Sequence, residues 1–190
     1  MNSENILLSQ NIPPSQNIIV TGVTGATTGR LRFGVMDMPC ALGRSGIVTD
    51  KREGDGGTPV GLFALRELRY RTDRLARPAS PLETHVIKPD DGWCDAPGDK
   101  NYNRFVTLPY PVSHEKLMRG DRLYDIVIML GYNDDPVIVG KGSAIFFHLA
   151  KDKDGTLAPT EGCVALRLDD MQRLLTHITA DTKMEISLSD

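Results

Sequence analysis

The sequence predicts a mainly β domain with one or two helices. Three observations carry that prediction. Apolar and β-branched residues fall in short runs of strand length, separated by clusters of Gly, Pro, Asn and Asp. One stretch, Met171, Leu174, Leu175 and Ile178, repeats at the i, i+3, i+4, i+7 spacing of a helix face. A chain of 190 residues with 40% hydrophobic and 25% charged content suits one ordinary core, and no internal repeat or linker divides it.

Taken in order, Met1 to about Gln16 is polar and contains Pro13-Pro14, so residues 1–17 read as a tail and 18–190 as the folded domain. The start has neither a basic n-region nor an apolar run of signal-peptide length, and no later segment is long enough to span a membrane. As written, the chain therefore reads as cytoplasmic. Ile18–Val20 opens a strand, Thr21–Gly29 is a turn, and Leu31–Met36 alternates as a half-buried strand does. Short strands and turns continue through Cys40–Gly46 and Ile47–Thr49. Lys51–Gly61 is glycine-rich among acids but lacks the GK[ST] ending of a phosphate-binding loop. Its Thr58-Pro59 element reads as a turn that feeds a strand over Leu62–Arg69.

Arg71–Pro81, rich in Arg and Pro, reads as exposed. Trp93, set among acids and a glycine, fits either the core or the wall of a groove, and Tyr102 has the same two readings. Ser113–Arg119 reads as a short helix capped by Ser113 and stopped by Gly120. Tyr124–Leu130 is a strong strand, and Asn133–Pro136 turns the chain. Ala144–Phe147 forms a short buried strand with His148 at its end. The helix over Met171–Ile178 starts from Asp169 or Asp170 as cap, and Lys183–Leu188 closes the chain as a strand.

Charge and cysteine content narrow the chemistry. A net charge of −3 argues against a nucleic-acid binder, whose affinity is built from clustered Lys and Arg. Cys40, Cys94 and Cys163 are odd in number and lack CxxC spacing, so they make no disulfide scaffold. Cys40 and Cys94 read as buried thiols or as a pair, and no paired ligand spacing supports zinc on Cys94, Cys163 and His148. No metal or cofactor is expected.

The stretch Ser143–Cys163 carries the strongest chemical signal. His148 and Cys163 stand at the two ends of one polar loop, the arrangement of a nucleophile and its base. A thiol must lose its proton to attack a carbonyl, and an imidazole can take that proton and later return it to a leaving amine. Gly162, lacking a Cβ, would let backbone N–H groups turn toward the reacting centre. No carboxylate is placed to orient His148, which leaves a backbone carbonyl for that task. His85, His114 and His177 read as structural or solvated.

His148 followed by Thr160-Glu161-Gly162-Cys163-Val164 resembles the signature of the L,D-transpeptidase (YkuD) catalytic domain, in which a histidine precedes a Ser/Thr-x-Gly-Cys-Val/Ile block. Thr58-Pro59-Val60-Gly61 is similar to the Thr-Pro-x-Gly element upstream in that family, and the likeness runs from about Ile18 to Leu188. The resemblance implies a β-sandwich-type fold and a bacterial cell-wall enzyme that acts on peptidoglycan stem tetrapeptides. It implies an acyl-enzyme at Cys163, release of D-alanine, and transfer to an amine of another stem, giving a 3→3 cross-link. With water as acceptor the product would be that of an L,D-carboxypeptidase, and a fold kept without catalysis would leave a peptidoglycan-binding module. Muropeptides are the implied partners, with carbapenem-type β-lactams as acylating inhibitors, and periplasm or cell wall as the implied location.

Carried onto this chain, Cys163 is the nucleophile, His148 the base, and Thr160, Gly162 and Val164 shape the oxyanion pocket. Arg44, Lys51, Trp93, Tyr102 and Arg167 are the expected substrate contacts. One departure stands out: Ala165 occupies the place where family members often carry an arginine. Arg167, two residues on and about 6.6 Å along a strand, would share its face.

Overall fold

A computed structural model describes residues 17–189. The polar tail expected over residues 1–17 lies, apart from Asn17, outside them. In chain order the strands are β1 (Ile18–Gly22), β2 (Thr28–Phe33), β3 (Met36–Ala41), β4 (Ile47–Val48), β5 (Thr58–Pro59), β6 (Gly61–Tyr70), β7 (Thr84–Val86) and β8 (Asp91–Cys94). They continue as β9 (Arg104–Thr107), β10 (His114–Lys116), β11 (Ile126–Leu130), β12 (Phe146–Leu149), β13 (Asp152–Lys153), β14 (Thr156–Leu157) and β15 (Val164–Leu166). The helix α1 (Leu168–Leu175) and the strand β16 (Lys183–Leu188) complete the chain. The domain is thus mainly β, with one helix among the described residues.

Nine strands form one sheet in the order β11-β12-β15-β3-β2-β1-β16-β6-β7. The ten-residue β6 pairs through its first half with β16 and through its second half with β11, so the sheet closes on itself. Alternation then decides what lies inside. Ile18 and Val20, Leu31 and Phe33, Ile126 and Ile128, Phe147 and Leu149, and Met184 and Ile186 all enter one main core. Met171, Leu174, Leu175 and Ile178 bring the apolar stripe of α1 and the turn after it into the same core.

A second layer covers part of the outer face. The three-stranded sheet β10-β8-β9 supplies Trp93, whose ring meets Phe146 of β12 edge-on at 5.4 Å. With Ile87, Leu117, Tyr124, Val127, Met129 and Cys163 these residues make a smaller apolar cluster. The cleft described below opens beside it.

Four local expectations are corrected. Leu31–Met36 is interrupted by a hairpin turn at Gly34 (φ 57°), with Val35 exposed at its tip. Ser113–Arg119 is not helical: Glu115 sits in β10 opposite Trp93, and a three-residue strand exists only because β8 offers an edge. His148 lies within β12 rather than after it, because the strand starts two residues later than its apolar run. Arg167, with extended φ and ψ, occupies the cap position of α1, and no side chain caps the helix; Asp169 and Asp170 fall in the first turn, where carboxylates favour the helix dipole. Cys40 and Cys94 are buried free thiols.

Candidate active site

Strands β12 and β15 run parallel, with Phe147 opposite Val164 and His148 opposite Ala165. Cys163, one residue before β15, therefore stands level with Phe146. Alternation puts Phe146, His148, Cys163 and Ala165 on one face, and the sheet spacings place the Cα atoms of His148 and Cys163 about 8 Å apart. Both side chains line a cavity of about 360 Å³, a size that suits a small peptide or ligand.

The sulfur is held from two sides. Phe146 N–H donates to Cys163 Sγ at 3.2 Å, and the thiol donates to Ala144 O at 3.4 Å. Burial pushes the thiol up to about 12 despite the Phe146 N–H, so it rests protonated. Burial also lowers His148 to about 4, so the imidazole rests neutral. Its Nδ1 donates to Leu149 O at 2.8 Å, which leaves Nε2 as the free acceptor. A backbone carbonyl orients this histidine, as the absence of a suitable carboxylate in sequence implied. The Tyr124 ring meets the imidazole edge-on at 5.2 Å, and burial keeps the Tyr124 phenol protonated well above its ordinary range.

The turn before the cysteine is braced by threonines and by close backbone packing. Thr160 Oγ1 donates to Cys163 O at 2.7 Å and accepts the Gly162 N–H at 3.2 Å. Thr160 N–H donates to Leu42 O at 2.9 Å, and Arg44 N–H to Thr160 O at 2.8 Å, binding this turn to the segment after β3. Thr58 Oγ1, wholly buried, accepts the Gly43 N–H of that segment at 2.8 Å. Gly162 has φ 135°, and a Cβ there would come within 2.8 Å of Gly57 O. Glycine at that place lets the two backbones touch.

The expected site residues divide accordingly. Cys163, His148, Thr160 and Lys51 line the cavity, whereas Gly162 and Val164 do not. Val164 points to the other face, into the main core, so it packs and shapes no pocket. Lys51 is buried and its ammonium is held by Asp55 and by Arg52 O. Arg44 is paired with Glu161 at 2.7 Å and donates to Gly54 O, so it braces the rim rather than lining it. Trp93 and Tyr102 stand one layer behind: Trp93 Nε1 donates to Asn103 Oδ1 at 2.9 Å, and Tyr102 OH is bonded to Glu53. Arg167 binds Asp152 at 2.9 Å and Gly155 O, clamping the β13–β14 hairpin away from the cavity. Arg167 keeps extended φ and ψ past the end of β15 and, like Ala165, meets the β13–β14 hairpin, but it does not line the cavity. Ala165 is fully buried and clusters with Ala41 and with Leu157 of the hairpin.

Sequence reasoning missed much of the cavity wall. Glu53, Glu115, Arg119, Tyr124 and Ser143 all line it. Arg119 is bonded to Glu115 and, at 2.8 Å, to Asp121, and lies 5.0 Å from the centre of the Tyr124 ring. The signal for Glu115 and Arg119 was concealed by the helical reading of their segment.

A thiol, a neutral imidazole with one free ring nitrogen, and a charged cavity on a closed β domain define a protein of the cysteine–histidine site class. The L,D-transpeptidase catalytic domain (YkuD) profile matches residues 24–186. The chain belongs to that family and carries an L,D-transpeptidase-type catalytic domain. Comparison with curated proteins finds none that matches.

Proposed function

We propose that this chain is a cysteine acyltransferase acting on peptidoglycan stem tetrapeptides, with Cys163 as nucleophile and His148 as general base. The observation that supports the reading most is the shared sheet face and cavity of a protonated thiol and an imidazole whose Nε2 is free. Because both groups rest neutral, the thiol proton passes to His148 Nε2 as the sulfur attacks the carbonyl before the terminal D-alanine. The S–C bond forms, the C–N bond to D-alanine breaks, and the imidazolium returns its proton to the leaving amine. An amine of a second stem then attacks the thioester, giving its proton to His148 Nε2; the new amide forms as the S–C bond breaks, and the imidazolium returns the proton to the sulfur. Thr160 and Gly162 keep the turn that aims the sulfur.

The cavity lining suits a peptide carrying both amines and carboxylates: Lys51, Arg119 and Lys151 face Glu53, Asp95, Glu115 and Glu161. The test is mass spectrometry of the protein incubated with tetrapeptide muropeptides, beside Cys163→Ala. Cross-linked dimers formed with loss of D-alanine and absent in the variant are expected, as is acylation of Cys163 by a carbapenem. Tripeptides alone would make water the acceptor. Full turnover by Cys163→Ala would remove the nucleophile from the scheme.

A further inference from the structure

The chain segment that accepts the hydrogen bond of the Cys163 thiol is strained and tightly held. Ala144 has φ 52°, the left-handed region that a residue with a Cβ avoids. Its N–H donates to Asn103 Oδ1 at 3.0 Å while its carbonyl accepts from Cys163 Sγ at 3.4 Å. Asn103 is buried, itself left-handed at φ 55°, and makes every bond its amide allows. Oδ1 also accepts from Trp93 Nε1, and Nδ2 donates to Tyr132 O at 3.1 Å and Asn133 O at 2.7 Å. The residues before Ala144 are tied as well. Ser143 Oγ donates to Glu53 at 2.7 Å, and Gly142 N–H donates at 3.1 Å to Tyr102 OH, which is bonded to the same Glu53 carboxylate. A strained residue beside a nucleophile persists only where its surroundings over-determine it.

We propose that Asn103 is a positioning residue for Cys163: its side-chain oxygen fixes the left-handed Ala144 peptide, whose carbonyl, together with the Phe146 N–H, holds the sulfur at the cavity floor. The proposal rests on the reading of Cys163 as nucleophile, but the thiol can be followed without substrate. A carbonyl that accepts from S–H favours the protonated thiol, and the Phe146 N–H favours the thiolate. Releasing the Ala144 peptide removes the first influence and leaves the second. The other titratable and charged groups of the cavity are Lys51, Glu53, Asp95, Glu115, Arg119, Tyr124, His148, Lys151 and Glu161. None is altered by the substitutions that follow.

The test is the rate of iodoacetamide alkylation of Cys163 at several pH values from about 7 to 9, followed on the Cys163 peptide by mass spectrometry. In Asn103→Ala the thiolate fraction should rise about three- to tenfold at each pH, the worth of one neutral hydrogen bond. Acyl transfer should fall about tenfold in kcat with KM unchanged, because the sulfur is less well aimed. Ala144→Val, whose β-branched side chain cannot hold a positive φ, should release the same peptide with Asn103 intact and give the same alkylation change. It decides the matter alone if Asn103→Ala does not fold. Arg173→Ala, which removes an ion pair with Asp170 on α1, should alter neither readout. Wild-type alkylation rates in the Asn103 and Ala144 variants, or an equal rise in Arg173→Ala, would overturn the proposal. Failure of the wild type to turn over muropeptides would count against the transpeptidase reading and leave the alkylation comparison standing.

Discussion

On one face of the β12–β15 pair, Phe147, Leu149, Val164 and Leu166 enter a core that is apolar on every side. On the other, Phe146, His148 and Cys163 meet a thin layer from β8 and the segments around Tyr124, with a charged cavity alongside, while Ala165 packs against Ala41 and Leu157. The same four-residue strand thus supplies the core with one set of side chains and the candidate site with the next. The two thiols show what the difference means. Burial pushes Cys40 and Cys163 alike up to about 12. Cys40 stays in the main core, where nothing can reach it, while Cys163 lines a cavity beside a free imidazole nitrogen. Access and neighbours, rather than acidity at rest, separate the structural thiol Cys40 from the proposed nucleophile Cys163.

The largest effects should fall on opposite sides of this division. His148→Ala should lower acyl transfer by about 10²–10⁴-fold, the usual worth of a general base, while thermal unfolding shows the fold retained. Phe147→Ala, one residue away, should destabilise the protein by about 3–5 kcal/mol, read from its denaturant midpoint. A variant at either position that produced the other's effect would break the comparison.

A smaller effect should appear with acid. His148 is depressed to about 4 in the folded protein against 6.5 for the ordinary group. The unfolded chain therefore takes up the proton first, and stability falls as pH drops from about 6.5 toward about 4, with no contribution above that window. At about pH 5 the loss should be about 2 kcal/mol, measured as the difference in denaturant unfolding between about pH 7 and pH 5. His148→Gln should lack it. Smallest of all, Arg167→Ala should change stability by less than about 1 kcal/mol, as an exposed ion pair does, and leave kcat/KM for muropeptides unchanged. A marked rise in KM would bring Arg167 back as a substrate contact.

What the sequence made legible follows from distance along the chain. The mainly β fold, the apolar stripe of α1 and the β16 strand were readable because each is a local pattern of period 2 or 3.6. The His148–Cys163 pair was readable because one short loop joins its members. The rest of the cavity comes from remote segments: Glu53 follows β4, Glu115 lies in β10, and Tyr124 precedes β11. The helical reading of Ser113–Arg119 failed for the same reason. Its charges suit a helix face, but the segment is extended because β8 provides a partner that no local pattern reveals. Trp93 and Tyr102, expected as substrate contacts, do not line the cavity; they bond Asn103 and Glu53 behind it.

The pairing of β1 with β16 bears on how the thiol fares during synthesis. Ile18 lies opposite Met184 and Gly22 opposite Leu188, so the middle of the large sheet stays open until residues 183–188 have been made. Contacts of such long sequence separation form slowly. His148 and Cys163 therefore leave the ribosome ahead of the strand that completes their scaffold. Burial of Cys163 among Phe146, Tyr124 and Val127 is thus a property of the finished sheet, whose middle is filled by the last strand of the chain.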